Sequence, residues 1–152
     1  MRPENPAKSF LRQYTALKSR VAALEKAINQ AMESALNTSI HLKEIKVLSS
    51  PATPDPMAED VTRAVDELET LYQYKESATR ALRDILAAID SLPDERQKTL
   101  LTMRYINGAS YPEIMREMHF AEAQTYVIHG RALIGINKWL ERRAKNPLNA
   151  CG

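Results

Sequence analysis

With 152 residues, 44% of them apolar and 26% charged, the chain is long enough for one ordinary domain or two small ones around a real core. Four glycines and two phenylalanines are too few for the turns and strands of a sandwich, barrel or doubly wound sheet, and the excess of Ala, Leu, Glu, Lys and Arg points to an all-α fold. The net charge of +2 is too small to announce a nucleic-acid binder, yet it conceals three blocks of alternating sign.

Residues 1–48 carry eight Lys/Arg against four Asp/Glu (+4), residues 49–92 four against nine (−5), and residues 93–152 nine against six (+3). The one cysteine, Cys151, leaves no intramolecular disulfide and suits a reducing compartment. The opening MRPENPAKSF lacks the apolar run of a signal peptide. No apolar stretch approaches the ~18–20 residues of a bilayer span. A cytoplasmic protein without membrane association is expected.

From Phe10 the apolar residues fall at Tyr14, Leu17, Val21, Leu24 and Ile28, a heptad seam that Ala31 and Ala35 extend. The spacing predicts a helix over about 8–36. The period is lost over 37–57, where Thr38, Ser39, Ser49, Ser50, Thr53 and three prolines predict an irregular linker. Ile40–Leu48 within it reads as a helical extension or a short extended segment, with extended preferred. A second seam, Val61, Val65, Leu68, Tyr72, Leu82, Leu86 and Ile89, predicts a helix over about 58–90, interrupted at Lys75 and Thr79. The first helix is basic and the second acidic, so apolar seams drive pairing and charge selects the partner. Residues 1–90 therefore read as a helical hairpin or coiled-coil region. Its seam residues Tyr14, Leu17, Val21, Leu24, Ile28, Val61, Val65, Leu68 and Tyr72 pair within one chain or across a homodimer.

Ser91-Leu92-Pro93-Asp94-Glu95 opens a new helix with a proline and two acids suited to its first turn. Asn107-Gly108 closes it, and Ser110 with Glu113 forms the pattern of a capping box. The helix that follows stops near His119-Phe120. A last helix runs from about Ala121 or Glu122 through Thr125, Ile128, Ala132, Leu133, Ile136, Trp139 and Leu140. A tail at 147–152 is expected to be mobile. A short helix and a long one joined by a three-residue turn behind a supporting helix suggest a helix-turn-helix domain over 91–146.

Leu92–Leu140 resembles region four of bacterial sigma factors. The matching features, in order, are Leu92-Pro93, Arg104-Tyr105, Gly108 with Ser110, Glu113-Ile114 and Arg131-Ala132-Leu133. The whole chain is similar to small prophage proteins with a helical N-terminal half and a sigma-like C-terminal half. Val47-Leu48-Ser49-Ser50-Pro51, Asp55-Pro56-Met57-Ala58 and Ile128–Leu133 carry that likeness. That family is linked to phage late-transcription regulators of the ArpU type. The resemblance implies that the last helix enters the DNA major groove, with Glu122, Ala123, Tyr126 and Val127 facing bases and phosphates. Thr125 and Ile128 would face the core.

At these positions relatives usually carry basic or amide side chains, and Ala121 replaces their serine cap. Glu122, Gln124, Tyr126, Val127, Arg131, Arg142 and Arg143 are the candidate DNA-binding residues, with Lys145 extending a basic patch. His129 reads as a core-edge residue, and His119 as a turn residue tolerant of the left-handed conformation. His41, His119 and His129 lack ligand spacing, and neither a nucleophile elbow nor a phosphate-binding glycine loop occurs. No enzyme activity, metal or cofactor is expected. The expected function is a phage-type transcription regulator that binds double-stranded DNA, host RNA polymerase, or both. The alternative is a helical protein-interaction adaptor on a helix-turn-helix scaffold with weakened DNA readout.

Overall fold

The computed structural model describes residues 2–46 and 56–147. Among them the fold is all-α, with no strand: α1 (Pro6–Lys46), α2 (Pro56–Asp90), α3 (Glu95–Leu101), a π-helical turn (Thr102–Ile106), α4 (Tyr111–Met118) and α5 (Glu122–Lys145). Of the linker expected at 37–57, residues 47–55 lie outside the described residues while 37–46 and 56–57 are helical, and of the tail expected at 147–152, residues 148–152, with Cys151, lie outside them.

α1 starts two residues earlier than its seam suggested because Asn5 caps it. Asn5 Oδ1 accepts from the Ala7 N–H at 3.0 Å, and Pro6 fills the first helical position, where its missing N–H costs nothing. α1 also runs ten residues beyond the expected end at 36, so Ile40–Lys46 is helical rather than extended. The hydroxyl of Thr38, read as a breaker, instead donates to the Ser34 carbonyl at 2.9 Å and stays within the helix.

Two compact units are present, Lys18–Arg80 and residues 1–17 with 81–152. The sequence divides the chain at 90/91, whereas the structure divides it inside both long helices. Leu11 of α1 and Ile85 of α2 are completely buried in the same core as Leu100, Leu101, Ile114 and Ile136. Phe10 packs on Trp139 with ring centroids 5.8 Å apart. Asn137 Nδ2 donates to Asn5 Oδ1 at 3.1 Å. The core around α5 is thus completed by the first turns of α1 and the last turns of α2.

The Lys18–Arg80 unit is an antiparallel hairpin: Lys75 Nζ lies 3.3 Å from Glu25 Oε1, and the Tyr72 hydroxyl donates to Met32 Sδ at 3.7 Å. On α1 the less exposed positions Val21, Leu24, Ile28, Ala31 and Ala35 follow the expected seam. On α2 they are Val61, Ala64, Leu68, Leu71, Lys75 and Ala78, so one edge of the seam shifts back by a residue. Val65 and Tyr72, expected in it, are 54% and 49% exposed, and Leu86 gives way to Ile85 in the same manner. The apolar neighbours Ala64-Val65, Leu71-Tyr72 and Ile85-Leu86 satisfy the heptad period equally well. In each pair the first residue enters the packed face and the second is left at the flank, and at Ala64 the small side chain also lets the helix axes approach. Lys75 interrupts nothing: its stem lies along the seam and its ammonium meets Glu25 at the rim.

Candidate functional site

α3, α4 and α5 are each set by local chemistry. Asp94 caps α3, its Oδ1 accepting from the Arg96 N–H at 2.9 Å, and Arg96 holds the Asp94 carboxyl below its usual pKa. After α3 the helix widens. The Asn107 N–H donates to the Thr102 carbonyl five residues back at 3.0 Å, and Gly108, at φ 72°, ends the turn. Ser110 and Glu113 cap α4 reciprocally, Glu113 Oε2 accepting from the Ser110 N–H at 2.9 Å and Ser110 Oγ from the Glu113 N–H at 3.4 Å. α4 ends at His119, the one non-glycine residue of positive φ (56°) among those described, and the Phe120 N–H then closes on the Met115 carbonyl at 3.0 Å.

Ala121 precedes α5 in an extended conformation without a side-chain cap. Ala121→Ser places a hydroxyl where the first orphan N–H groups point. It is expected to raise stability by about 1 kcal/mol, read from the urea midpoint. No gain would mean that those groups are already satisfied.

Beneath the start of α5 lies an aromatic cluster. His129 is buried, its Nε2 hydrogen-bonded to the Tyr105 hydroxyl at 2.9 Å. Tyr111 meets His129 edge-on at 5.8 Å and Tyr126 at 5.2 Å, while the Arg104 guanidinium lies 4.4 Å over the Tyr111 ring and donates to the Ala109 carbonyl at 3.1 Å. Burial, with Lys8 and Arg104 nearby, lowers the His129 pKa to about 4, and burial raises that of Tyr105. Both rings are therefore neutral near pH 7. This cluster joins the π-helical turn, α4 and α5, fixing the angle at which α5 projects.

The solvent face of α5 begins with Glu122, Ala123 and Gln124, continues through Tyr126 and Val127 (50% and 51% exposed), and reaches Gly130 and Arg131. Thr125 and Ile128 point into the core. Farther on, Arg131, Lys138, Arg142 and Lys145 line a groove of about 580 Å³ between α5 and the Ser91–Pro93 segment, with Glu141 as its one acid. Leu92 packs so closely on Gly135 that a Cβ there would collide with Leu92 Cδ2. Arg143 departs from the expected set. Its guanidinium pairs with Asp84 at 2.6 Å and lies 5.1 Å from the Trp139 ring centre, so it ties α5 to α2 instead of facing solvent. Sequence reasoning missed Lys138 and Ile134 as surface features. The seven-residue interval from Arg131 to Lys138 to Lys145 was the available signal, since it returns each cation to one helix face.

A family model described as a protein of unknown function, DUF1492, matches residues 55–137, more than half of the chain. The chain belongs to the DUF1492 family. The DUF1492 match takes in α2, the capped α3–α4 region and α5 as far as Asn137, and so includes Glu122–Val127 and Arg131. No curated protein and no solved structure matches the chain. No helix among the described residues is long and apolar enough to cross a membrane.

Proposed function

We propose that this chain is a phage-type transcription regulator that uses α4 and α5 as a helix-turn-helix to engage double-stranded DNA, RNA polymerase, or both. The observation that carries the reading is the row of cations Arg131, Lys138, Arg142 and Lys145 on one side of α5, next to the exposed Glu122–Val127 turns. Resemblance of Leu92–Leu140 to sigma region four supports it. In this reading Gln124 can pair with adenine, Glu122 can accept from cytosine, and Val127 with Ala123 can meet thymine methyl groups. Tyr126 and Arg131 serve phosphates, and the cations beyond, Lys138 to Lys145 over about 10 Å, provide sequence-independent attraction. The cytoplasm is the compartment that suits this activity.

Protein docking is the second reading. It is favoured by Ile134, 57% exposed among those cations, and by an acid at Glu122, where a phosphate would be repelled. Fluorescence anisotropy with DNA from the protein's own genomic neighbourhood, against a scrambled duplex, separates the two. Four phosphate contacts predict roughly a 10²-fold loss of affinity between 50 and 200 mM salt, and Arg131→Ala should lower the salt slope by about one contact. Equal binding to both duplexes, with the variant unchanged, would remove DNA reading and leave docking.

A further inference from the structure

The paired seams of the Lys18–Arg80 unit do not use all of its apolar residues. Only Ile28 and Ala78 are buried there among the described residues, so the hairpin has a seam but no closed core. Beside the seam lies a second apolar strip. Met32 and Leu36 of α1 are 43% and 61% exposed, and Val65 and Tyr72 of α2 are 54% and 49% exposed. The bond from the Tyr72 hydroxyl to Met32 Sδ places both helices' contributions on the same edge. Leu36 lies one turn beyond Met32 and Val65 two turns before Tyr72, so in an antiparallel pair the strip continues in one direction. Ile40, 58% exposed, follows one turn farther along α1. Helices with an apolar stripe this broad, a seam plus a flanking row, are those of bundles rather than of isolated two-stranded coils.

We infer that this strip is the docking face for a second copy of the chain, joining two hairpins into a four-helix bundle. Charge complementarity points to a like partner. Residues 18–46 carry five Lys/Arg against three Asp/Glu, whereas residues 56–80 carry three against six, so α1 of each copy is attracted to α2 of the other. The area suffices. Two helices side by side over some twenty residues offer about 30 Å by 20 Å, or about 600 Å², at the lower end of the ~600–1,000 Å² per partner of a stable interface. Tyr and Met in the strip are residue types enriched at such interfaces. The strip shares no residue with the α5 surface, and the inference does not depend on DNA binding.

Sedimentation velocity of the full chain without DNA, over ~1–100 µM, tests the inference. The expected result is a species of twice the 17.2 kDa chain mass at the upper concentrations. Leu36→Glu or Val65→Glu, each at an exposed position, should return the 17.2 kDa monomer with unchanged helical circular dichroism. Tyr74, 52% exposed but about 200° around α2 from Tyr72, supplies the control, and Tyr74→Glu should stay dimeric. A wild-type monomer throughout the range overturns the inference, as does a folded Leu36→Glu or Val65→Glu variant that remains dimeric.

Discussion

Leu11→Ala is expected to destabilise the unit built around α5 by about 2–5 kcal/mol, although Leu11 lies eighty residues before the segment with the sigma-like motifs. Its side chain is completely buried in a cluster that includes Ile85, Leu100, Leu101, Ile114 and Ile136. Truncation removes contacts to several elements that are themselves fixed by caps at Asp94 and Ser110, so the cavity cannot collapse cheaply. A loss of that size is a large share of the ~5–15 kcal/mol that stabilises an ordinary domain. The single tryptophan, Trp139, packs at a tilt on Phe10, one residue before Leu11, and reports the transition directly. Urea unfolding followed by its fluorescence is the measurement, and a loss below about 1 kcal/mol would mean that α1 is peripheral to this core. By the same reasoning, residues 91–147 expressed alone lack Ala7, Leu11, Ile85, Ala88 and Ile89 and should not unfold cooperatively.

The second large effect is acid destabilisation through His129. Burial lowers its folded pKa to about 4, against 6.5 in an unfolded chain. A depressed histidine pKa means that the unfolded state binds the proton first. The contribution is therefore complete above pH 6.5 and is lost as pH falls from 6.5 towards 4. The shift corresponds to about 3 kcal/mol in all, of which about 2 is gone by pH 5. Protonation would set a cation near Lys8 and Arg104 in a buried ring cluster. The check is the urea midpoint at pH 7 and pH 5 for wild type and His129→Gln. The wild type should lose stability over that interval and the variant far less. Equal losses in the two proteins would assign the acid sensitivity to the carboxylates instead.

Much of the secondary structure was legible because its signals are local. The Ser110–Glu113 box, the left-handed Gly108 and the tolerance of His119 for a left-handed turn each depend on a few neighbouring residues, and each is found where the residues indicate. The burial of Thr125 and Ile128 is also readable from helical periodicity along α5, and the exposure of Tyr126 and Val127 agrees with what the resemblance implied. Three features were not. The π-helical turn at Thr102–Ile106 leaves no period long enough to recognise. The sequence pattern ends α1 ten residues early because Thr38 has two available uses, breaking a helix or bonding back within it. Arg143 resembles its neighbour Arg142 in sequence, and only the position of Asp84 on α2 separates their roles.

The all-α class, the helix ends capped by Ser110 and Gly108, and the alternation of basic and acidic blocks all follow from composition and short spacing. Tertiary structure decided which of two adjacent apolar residues enters the α2 seam, since Ala64 and Val65 fit the period equally and only close approach to α1 distinguishes them. It also decided where one compact unit ends. Leu17 and Leu24 look alike along one helix, yet Leu17 packs against the core that holds Leu11, Leu100 and Ile136 whereas Leu24 belongs to the hairpin, a matter of long-range packing that no local pattern encodes.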